Sequence, residues 1–145
     1  MKEIYTEIEI QAPRDQVWKI LTNFESFSTW NPFIRRINGE VREGSHLEVH
    51  IQPPGKNEIT FKPTVLKAIP NRELCWLGHF LIPGLFDGEH IFVIESLERN
   101  RTRLIQREIF RGLLVPLFAN QLDTNTRQGF EEMNRALKVR SEQVK

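Results

Sequence analysis

The sequence predicts an α+β protein in which a curved antiparallel sheet of seven strands packs around a long C-terminal helix, with two short helices after the first strand. Three observations lead to this prediction. Residues 3–11 alternate apolar and polar side chains with the period of a strand. Turn signals divide the region from Phe33 to Gly112 into strand-like segments. From Val115 onward the apolar residues recur with a helical period.

The first strand has Ile4, Thr6, Ile8 and Ile10 on one face, and the segment after it changes to a helical period. Pro13 suits the first turn of a helix, and Asp15 suits the positively polarised N-terminal end. One stripe of this helix is apolar: Val17, Ile20, Leu21 and Phe24. A short second helical segment ends before Asn31-Pro32, because a residue that precedes proline is biased away from helical backbone.

Between Phe33 and Gly112 the turn signals leave room for about six strands. These signals are Gly44, Pro53–Gly55, Pro70–Asn71, Pro83–Gly84 and Glu98–Arg101. An antiparallel sheet this wide twists and coils. The economical arrangement lays the C-terminal helix, predicted over residues 116–140, across the concave face of the sheet. Such an arrangement encloses space between sheet and helix, and the way that space is filled bears directly on function.

Length and composition narrow the class of protein. A chain of 145 residues with 39% hydrophobic and 27% charged residues indicates one soluble domain, residues 1–145. A net charge of +1 argues against nucleic acid or an anionic membrane as partner. The single cysteine, Cys75, excludes an intrachain disulfide. No apolar stretch approaches the ~20 residues of a transmembrane helix and the N-terminus lacks a signal-peptide pattern, so we expect a cytoplasmic protein without membrane insertion.

Four segments resemble the helix-grip superfamily of START lipid-binding domains, the birch-pollen allergen and polyketide cyclase/dehydrase-like (SRPBCC) proteins, most of all its bacterial small single-domain branch. They read IEIQAPRDQVWKILTNFESFSTWNPFI from Ile8, FKPTVLKAIPNRELCWLG from Phe61, GEHIFVIE from Gly88 and RLIQREIFRGLL from Arg103. The resemblance implies an internal cavity for a small hydrophobic molecule, bordered by loops between sheet and helix. It implies no particular reaction, because the branch is functionally diverse.

The last strand carries two polar residues on the face that should be buried. Opposite its arginines the segment from Arg103 to Gly112 reads Leu104, Gln106, Glu108 and Phe110. A hairpin through residues 98–101 pairs this strand with the one that carries His90 and Phe92. Glu108 is then expected near His90, and Gln106 near Phe92.

Three interpretations of these polar groups remain open. They can orient a ligand in an otherwise apolar cavity. They can satisfy one another and hold the strand register, since buried polar groups are normally hydrogen-bonded. Alternatively, Glu108 and His90 can act as an acid/base pair, and they are the catalytic candidates. We favour ligand binding.

Large aromatic rings are numerous, with ten Phe and three Trp against one Tyr, and such rings can line a wide gap without filling it. The loop from Phe80 to Phe86, with its Pro83-Gly84 turn, is expected to form a mouth or lid because apolar loops are uncommon without a partner or ligand. The predicted ligand-binding residues are Trp30, Phe61, Trp76, Phe80, Phe86, His90, Phe92, Gln106, Glu108, Phe110, Phe118 and Leu122.

Other chemistry finds little support in the sequence. His46, Glu48 and His50 alternate as metal ligands on a strand can, but the opposite parity is apolar, so this face is expected in solvent and no metal or other cofactor is predicted. Glycine-flanked nucleophilic serines and glycine-rich phosphate loops are absent. The predicted function is binding of a lipid, polyketide or aromatic metabolite. The alternatives are a polyketide cyclase/dehydratase-like enzyme and a chaperone- or toxin-like protein-interaction module, the latter disfavoured by the charged outer face of the sheet.

Overall fold

Two antiparallel sheets form a curved wall in the computed structural model, which describes residues 1–143. The larger sheet has the order β1-β8-β7-β6-β5, formed by β1 (Lys2–Ile10), β5 (Thr64–Ile69), β6 (Glu73–His79), β7 (Asp87–Glu98) and β8 (Arg101–Arg111). The smaller sheet has the order β2-β3-β4, formed by β2 (Ile34–Asn38), β3 (Glu48–Ile51) and β4 (Ile59–Phe61). An isolated bridge between His46 and Thr64 joins the two sheets.

The described chain has eight strands where the sequence predicted seven, because the segment between the turns at residues 53–55 and 70–71 is two strands. Pro63 separates β4 from β5. Proline has no amide hydrogen to donate to a strand ladder and is therefore found at strand ends and edges. Its carbonyl oxygen instead accepts a hydrogen bond from the amide of Leu47 at 2.9 Å, beside the bridge that connects the sheets.

Two short helices follow β1, as predicted. They are α1 (Arg14–Thr22) and α2 (Phe27–Trp30), with a 3-10 turn at Phe24–Ser26 between them. Pro13 immediately precedes α1, and its carbonyl oxygen accepts from the amides of Gln16 and Val17. Asn31 directs the chain from α2 into β2, because its buried side-chain oxygen accepts hydrogen bonds from the amides of Phe33 (2.9 Å) and Ile34 (2.8 Å).

The C-terminal helical region is not the single regular helix that the period over 116–140 predicted. It begins with a 3-10 turn at Val115–Phe118, continues through α3 (Ala119–Gln121) and a π-helical segment at Leu122–Thr126, and ends with α4 (Arg127–Gln143). The side chain of Asn125 donates to the carbonyl oxygen of Pro54 at 2.9 Å, which ties the π segment to the smaller sheet. An apolar repeat of about 3.6 residues does not distinguish an α-helix from 3-10 or π-helical turns.

The helix α4 packs against β1 and β8 and closes the concave face of the larger sheet. Its buried residues Phe130, Met133 and Leu137 belong to one core with residues of both strands and of α1. Gly129 lets α4 approach the ring of Phe33, just before β2, because a Cβ at this position would overlap that ring. This arrangement confirms the predicted α+β helix-grip fold. Within residues 1–143 no helix has both the length and the apolar character to span a bilayer.

Candidate functional site

A cavity of about 210 Å³ lies between the sheets and the first half of the C-terminal helical region. Its walls come from β2, β3, β4, β6, β7 and β8, from the loop at residues 80–86, and from residues 118–126. The lining is mostly aromatic and aliphatic, and its ionisable members among the described residues are His90 and Glu108. The enclosed space between sheet and helix is therefore only partly filled by side chains.

Nine of the predicted ligand-binding residues line this cavity. Six are aromatic: Phe61, Trp76, Phe80, Phe86, Phe110 and Phe118. The other three are His90, Glu108 and Leu122. Five of them have the inward parity of their strands, Phe118 and Leu122 lie where the helical region faces the sheet, and Phe80 and Phe86 belong to the loop between β6 and β7.

Three predicted residues do not line the cavity. Trp30 packs against Phe27 within α2, with ring centroids 5.2 Å apart. Phe92 and Gln106 have the inward parity that was predicted, but they lie one pair of residues further along the strands, where α4 covers them, and both are fully buried. Parity therefore identified the correct face, while the position along the strand decided between cavity and core.

Apart from Phe61, sequence reasoning missed the contribution of the smaller sheet. Ile34, Val49, Ile51 and Ile59 all line the cavity. The signal was available, since Val49 and Ile51 share the apolar parity of their strand. What the pattern did not reveal is that β2–β4 fold over the end of the larger sheet.

Glu108 and His90 lie opposite each other in the register of β7 and β8, as the hairpin predicted. Glu108 Oε1 is 3.3 Å from His90 Nδ1, and both side chains are largely buried, with exposed fractions of 17% and 7%. The carboxylate lies over Gly88, where any Cβ would overlap Glu108 Oε2. The absence of a side chain at Gly88 thus leaves the space that the carboxylate occupies in the cavity wall.

The His90 imidazole is enclosed on its other sides. It stacks on Phe92 with centroids 4.7 Å apart and also contacts the rings of Trp76 and Phe130. Its Nε2 forms a hydrogen bond of 2.9 Å with the side-chain oxygen of Gln106. The ring therefore has one nitrogen in the buried core and the other beside the carboxylate at the cavity wall.

Two neighbouring loops beside the cavity expose apolar side chains. Leu81 and Ile82 project from the first loop, with exposed fractions of 75% and 61%, while Leu113 and Leu117 project from the turn that follows β8. The loops are held together by backbone hydrogen bonds from Leu113 and Leu114 to residues 84 and 85. Phe80 and Phe86 of the first loop line the cavity.

Asp87 anchors the base of the first loop. Its carboxylate accepts from His79 Nδ1 at 2.8 Å and from the amide of Gly84 at 3.0 Å. The hydrogen bond from His79, supported by that from Gly84, holds the pKa of Asp87 below its ordinary value of 3.8.

Cys75 lies outside the cavity and is almost completely buried. Burial, together with the nearby Glu89 carboxylate, raises the pKa of the Cys75 thiol to about 12. Since the thiolate is the nucleophilic form, this cysteine is not poised for nucleophilic chemistry at neutral pH.

The alternating His46, Glu48 and His50 do not converge. His46 is exposed and contacts Thr64, while His50 Nε2 lies 2.8 Å from Glu48 Oε1. The hydrogen bond from His50 is the main reason that the pKa of Glu48 is lowered. Across residues 1–143 no group of three or more His, Cys, Asp or Glu side chains has the arrangement to hold a metal ion.

Comparisons with known proteins agree with this architecture. The family model described as polyketide cyclase/dehydrase and lipid transport matches residues 1–142. No curated protein matches the sequence significantly.

Among solved structures, a START superfamily protein from Mycobacterium smegmatis is 22% identical, with a TM-score of 0.77 over 99% of each chain. The ZhuI aromatase/cyclase from Streptomyces sp. R1128 is 16% identical, with a TM-score of 0.76 over 98% of this chain and 94% of that one. A hypothetical protein from Helicobacter pylori is 14% identical, with a TM-score of 0.80 over 97% and 88% of the two chains. At these identities the structural similarities show a shared fold and nothing further.

Proposed function

Because the chain belongs to the polyketide cyclase/dehydrase and lipid transport family, we propose that it binds a small hydrophobic or amphipathic molecule in the cavity between the sheets and the C-terminal helical region. One observation carries this proposal. Along the same two strands, a filled core gives way at His90 and Glu108 to a cavity of about 210 Å³ with apolar walls and one polar pair. Apolar pockets with a few placed polar groups are the usual form of small-molecule sites.

The cavity volume limits the size of the enclosed part of the ligand. An apolar cavity of roughly 150 Å³ holds one benzene ring, so about 210 Å³ suits a substituted ring or a small bicyclic group. Burial of each ~100 Å² of apolar ligand surface contributes about 2.5 kcal/mol before the losses of ordering. A longer lipid or polyketide chain would extend through the mouth, beside the exposed Leu81 and Ile82.

The polar pair gives the site a preference for neutral hydrogen-bond donors. Glu108 is the one carboxylate that lines the cavity among the described residues, and its contact there is with His90 Nδ1. A ligand hydroxyl or N–H group can donate to this carboxylate. A ligand that carries its own carboxylate places a like charge in a poorly solvated site, which is unfavourable.

Three probes of matched size test the proposal by isothermal titration calorimetry: 2-naphthol, naphthalene and 2-naphthoate. We expect 2-naphthol to bind more tightly than naphthalene, and 2-naphthoate to bind most weakly. Glu108→Gln should narrow the difference between 2-naphthol and 2-naphthoate by roughly tenfold or more, because the like charge is removed.

Two tryptophan variants locate the binding. Ile59→Trp adds volume inside the cavity and should abolish binding of all three probes. Leu66→Trp adds the same ring on β5, at a residue that is partly exposed and outside the cavity, and should leave binding unchanged. Absence of binding to the unmodified protein, or equal binding to the Ile59→Trp variant, would refute the proposal.

A second candidate function is acid/base catalysis on the bound molecule, favoured by the 3.3 Å contact between Glu108 and His90 at the cavity wall. A carboxylate beside an imidazole can remove a proton next to a carbonyl group. This function predicts that the protein accelerates exchange of the α-protons of 2-tetralone for deuterium, followed by proton NMR. Glu108→Gln should remove the acceleration while 2-tetralone still binds. If acceleration persists in that variant, Glu108 is not the base.

A further inference from the structure

Four buried polar side chains form a chain of hydrogen bonds behind the cavity, and the direction of this chain is determined at one end. Thr6 Oγ1 lies 2.7 Å from the backbone carbonyl oxygen of Gln106. A carbonyl oxygen can only accept, so the Thr6 hydroxyl hydrogen is used there. The same oxygen, 2.9 Å from Asn134, must then accept, which makes Nδ2 the Asn134 atom that faces Thr6.

The same reasoning determines which atom donates in each of the other hydrogen bonds of this chain. Asn134 Oδ1 faces Gln106 at 2.7 Å and can only accept, so Gln106 presents Nε2 to it. The carbonyl oxygen of Phe130, 3.4 Å from the same Nε2, is a second group that can only accept. Gln106 Oε1 therefore faces His90 Nε2, and since an amide oxygen cannot donate, the hydrogen in this bond belongs to His90.

We infer that Gln106 is a positioning residue: oriented by Asn134 and Thr6, it holds the neutral His90 ring in the tautomer with hydrogen on Nε2, so that Nδ1 is the free nitrogen beside Glu108. A proton taken up by the ring then enters at Nδ1, at the cavity wall, and not in the core. The role toward a ligand rests on the proposed function, whereas the tautomer is a property of the protein alone.

Glu108 competes with Gln106 for the imidazole hydrogen, and burial decides the competition. Hydrogen on Nδ1 would leave Nε2 and Gln106 Oε1 as two acceptors 2.9 Å apart in a site without solvent, since Gln106 is fully buried. Hydrogen on Nε2 instead leaves two acceptors, Nδ1 and the Glu108 carboxylate, facing each other at the cavity wall, where water or a ligand has access. The 3.3 Å separation at Nδ1 also exceeds the roughly 2.7–2.9 Å of a charge-assisted hydrogen bond.

The tautomer can be read from the imidazole nitrogen shifts of ligand-free protein labelled with ¹⁵N-histidine. Spectra are recorded up to about pH 9, well above the ordinary histidine pKa of about 6.5. The other three histidines, His46, His50 and His79, are assigned by their Gln variants, which leaves His90 untouched. We expect a protonated Nε2 and an unprotonated Nδ1 for His90, and the reverse pattern in the unmodified protein would overturn the inference.

Substitution of Gln106 tests its part. Gln106→Leu removes the acceptor and should move the hydrogen to Nδ1, toward Glu108. Thr102→Val is the control. Thr102 is also buried on β8 and donates to a carbonyl oxygen, that of Ala12, but it takes no part in the hydrogen-bond chain that leads to His90. The control substitution should lower stability without changing the tautomer. An unchanged tautomer in Gln106→Leu would refute the role of Gln106.

The same spectra separate this inference from the proposed function. Addition of 2-naphthol should shift the His90 Nδ1 signal more than the Nε2 signal. If no probe binds but the ligand-free spectra show hydrogen on Nε2, the proposed function fails and the tautomer assignment stands. If the probes bind and the ligand-free protein shows hydrogen on Nδ1, the assignment is wrong and ligand binding stands.

Discussion

The two halves of the space between sheet and helix are built from similar residues but differ in how completely they are filled. In the packed half, Phe130 is completely enclosed, and its ring meets edge to face, at 5.5 Å, the ring of Phe33, which lies at the edge of the cavity. In the cavity half, Phe86 contacts Phe110 and Phe118 at 5.6 Å each, yet these rings border open volume. Aromatic contacts of similar length therefore occur at a completely enclosed ring, Phe130, in one half and at rings that border open volume in the other.

The covering backbone makes the difference. Over the packed half runs α4, a regular helix that Gly129 allows close to the Phe33 ring. Over the cavity half the chain passes through a 3-10 turn, α3 and the π segment at Leu122–Thr126, whose residues border the cavity. Departures from regular α-helix of this kind are frequent at functional sites. The pair of His90 and Glu108 marks the boundary between the halves.

The largest expected contrast comes from one truncation in each half. Phe130→Ala should destabilise the protein by about 3–5 kcal/mol, because it leaves a cavity in a fully packed region. Phe118→Ala should change the free energy of unfolding by about 1 kcal/mol or less, because that ring is 42% exposed and already borders open space. Urea denaturation followed by circular dichroism measures both.

Binding of 2-naphthol should respond in the opposite order to stability. Phe118→Ala should weaken it, since an apolar wall of the cavity is lost, while Phe130→Ala should spare it wherever the variant remains folded. Equal losses of stability in the two variants would show that the two halves are packed alike, against the comparison made above.

Much of this architecture could be predicted because it depends on local pattern. Strand parity and the turn at residues 98–101 are sufficient to place Glu108 opposite His90. The period of the C-terminal segment identified it as helical. These features follow from the geometry of strands and helices, in which side-chain direction is set by residue spacing.

The boundary between core and cavity could not be predicted, because it depends on contacts between distant segments. Gln106 and Glu108 have the same parity and are two residues apart, but only Glu108 reaches the cavity. Its neighbour is covered by α4 through Asn134, 28 residues further along the chain. The placement of Trp30 beside Phe27 is likewise a matter of packing, which composition alone does not reveal.

Substitution of two glycines, one in each half, tests the same comparison with smaller expected changes in stability. Gly129→Ala in the packed half drives a Cβ into the rigid Phe33 ring, and overpacking of about 1–3 kcal/mol should exceed the helix-propensity gain of up to about 1 kcal/mol. Gly88→Ala in the cavity half meets chiefly the end of the Glu108 side chain, which can move aside. Thermal unfolding should therefore detect Gly129→Ala more strongly.

The effect of Gly88→Ala should appear in binding instead. Displacement of the Glu108 carboxylate should reduce the preference for 2-naphthol over naphthalene in calorimetric titrations, while the melting temperature changes little. A Gly88→Ala protein that keeps this preference would show that the position of the carboxylate over Gly88 does not matter for the ligand.

The smallest expected effect concerns the loop of residues 80–86, which Asp87 holds through a hydrogen bond from the Gly84 amide. Because the folded-state pKa of Asp87 is depressed, its stabilising hydrogen bonds are fully present above the ordinary value of 3.8 and are lost as the pH falls through the lower, folded-state value. The Gly84 amide proton shift, followed by NMR from pH 6 downward, should therefore titrate with a midpoint below 3.8. Asp87→Asn keeps a side-chain oxygen that can accept from Gly84 but removes the ionisable group, so its Gly84 signal should lose this titration. A midpoint at or above the ordinary value, or an unchanged titration in Asp87→Asn, would mean that Asp87 does not anchor the loop and that backbone hydrogen bonds hold it instead.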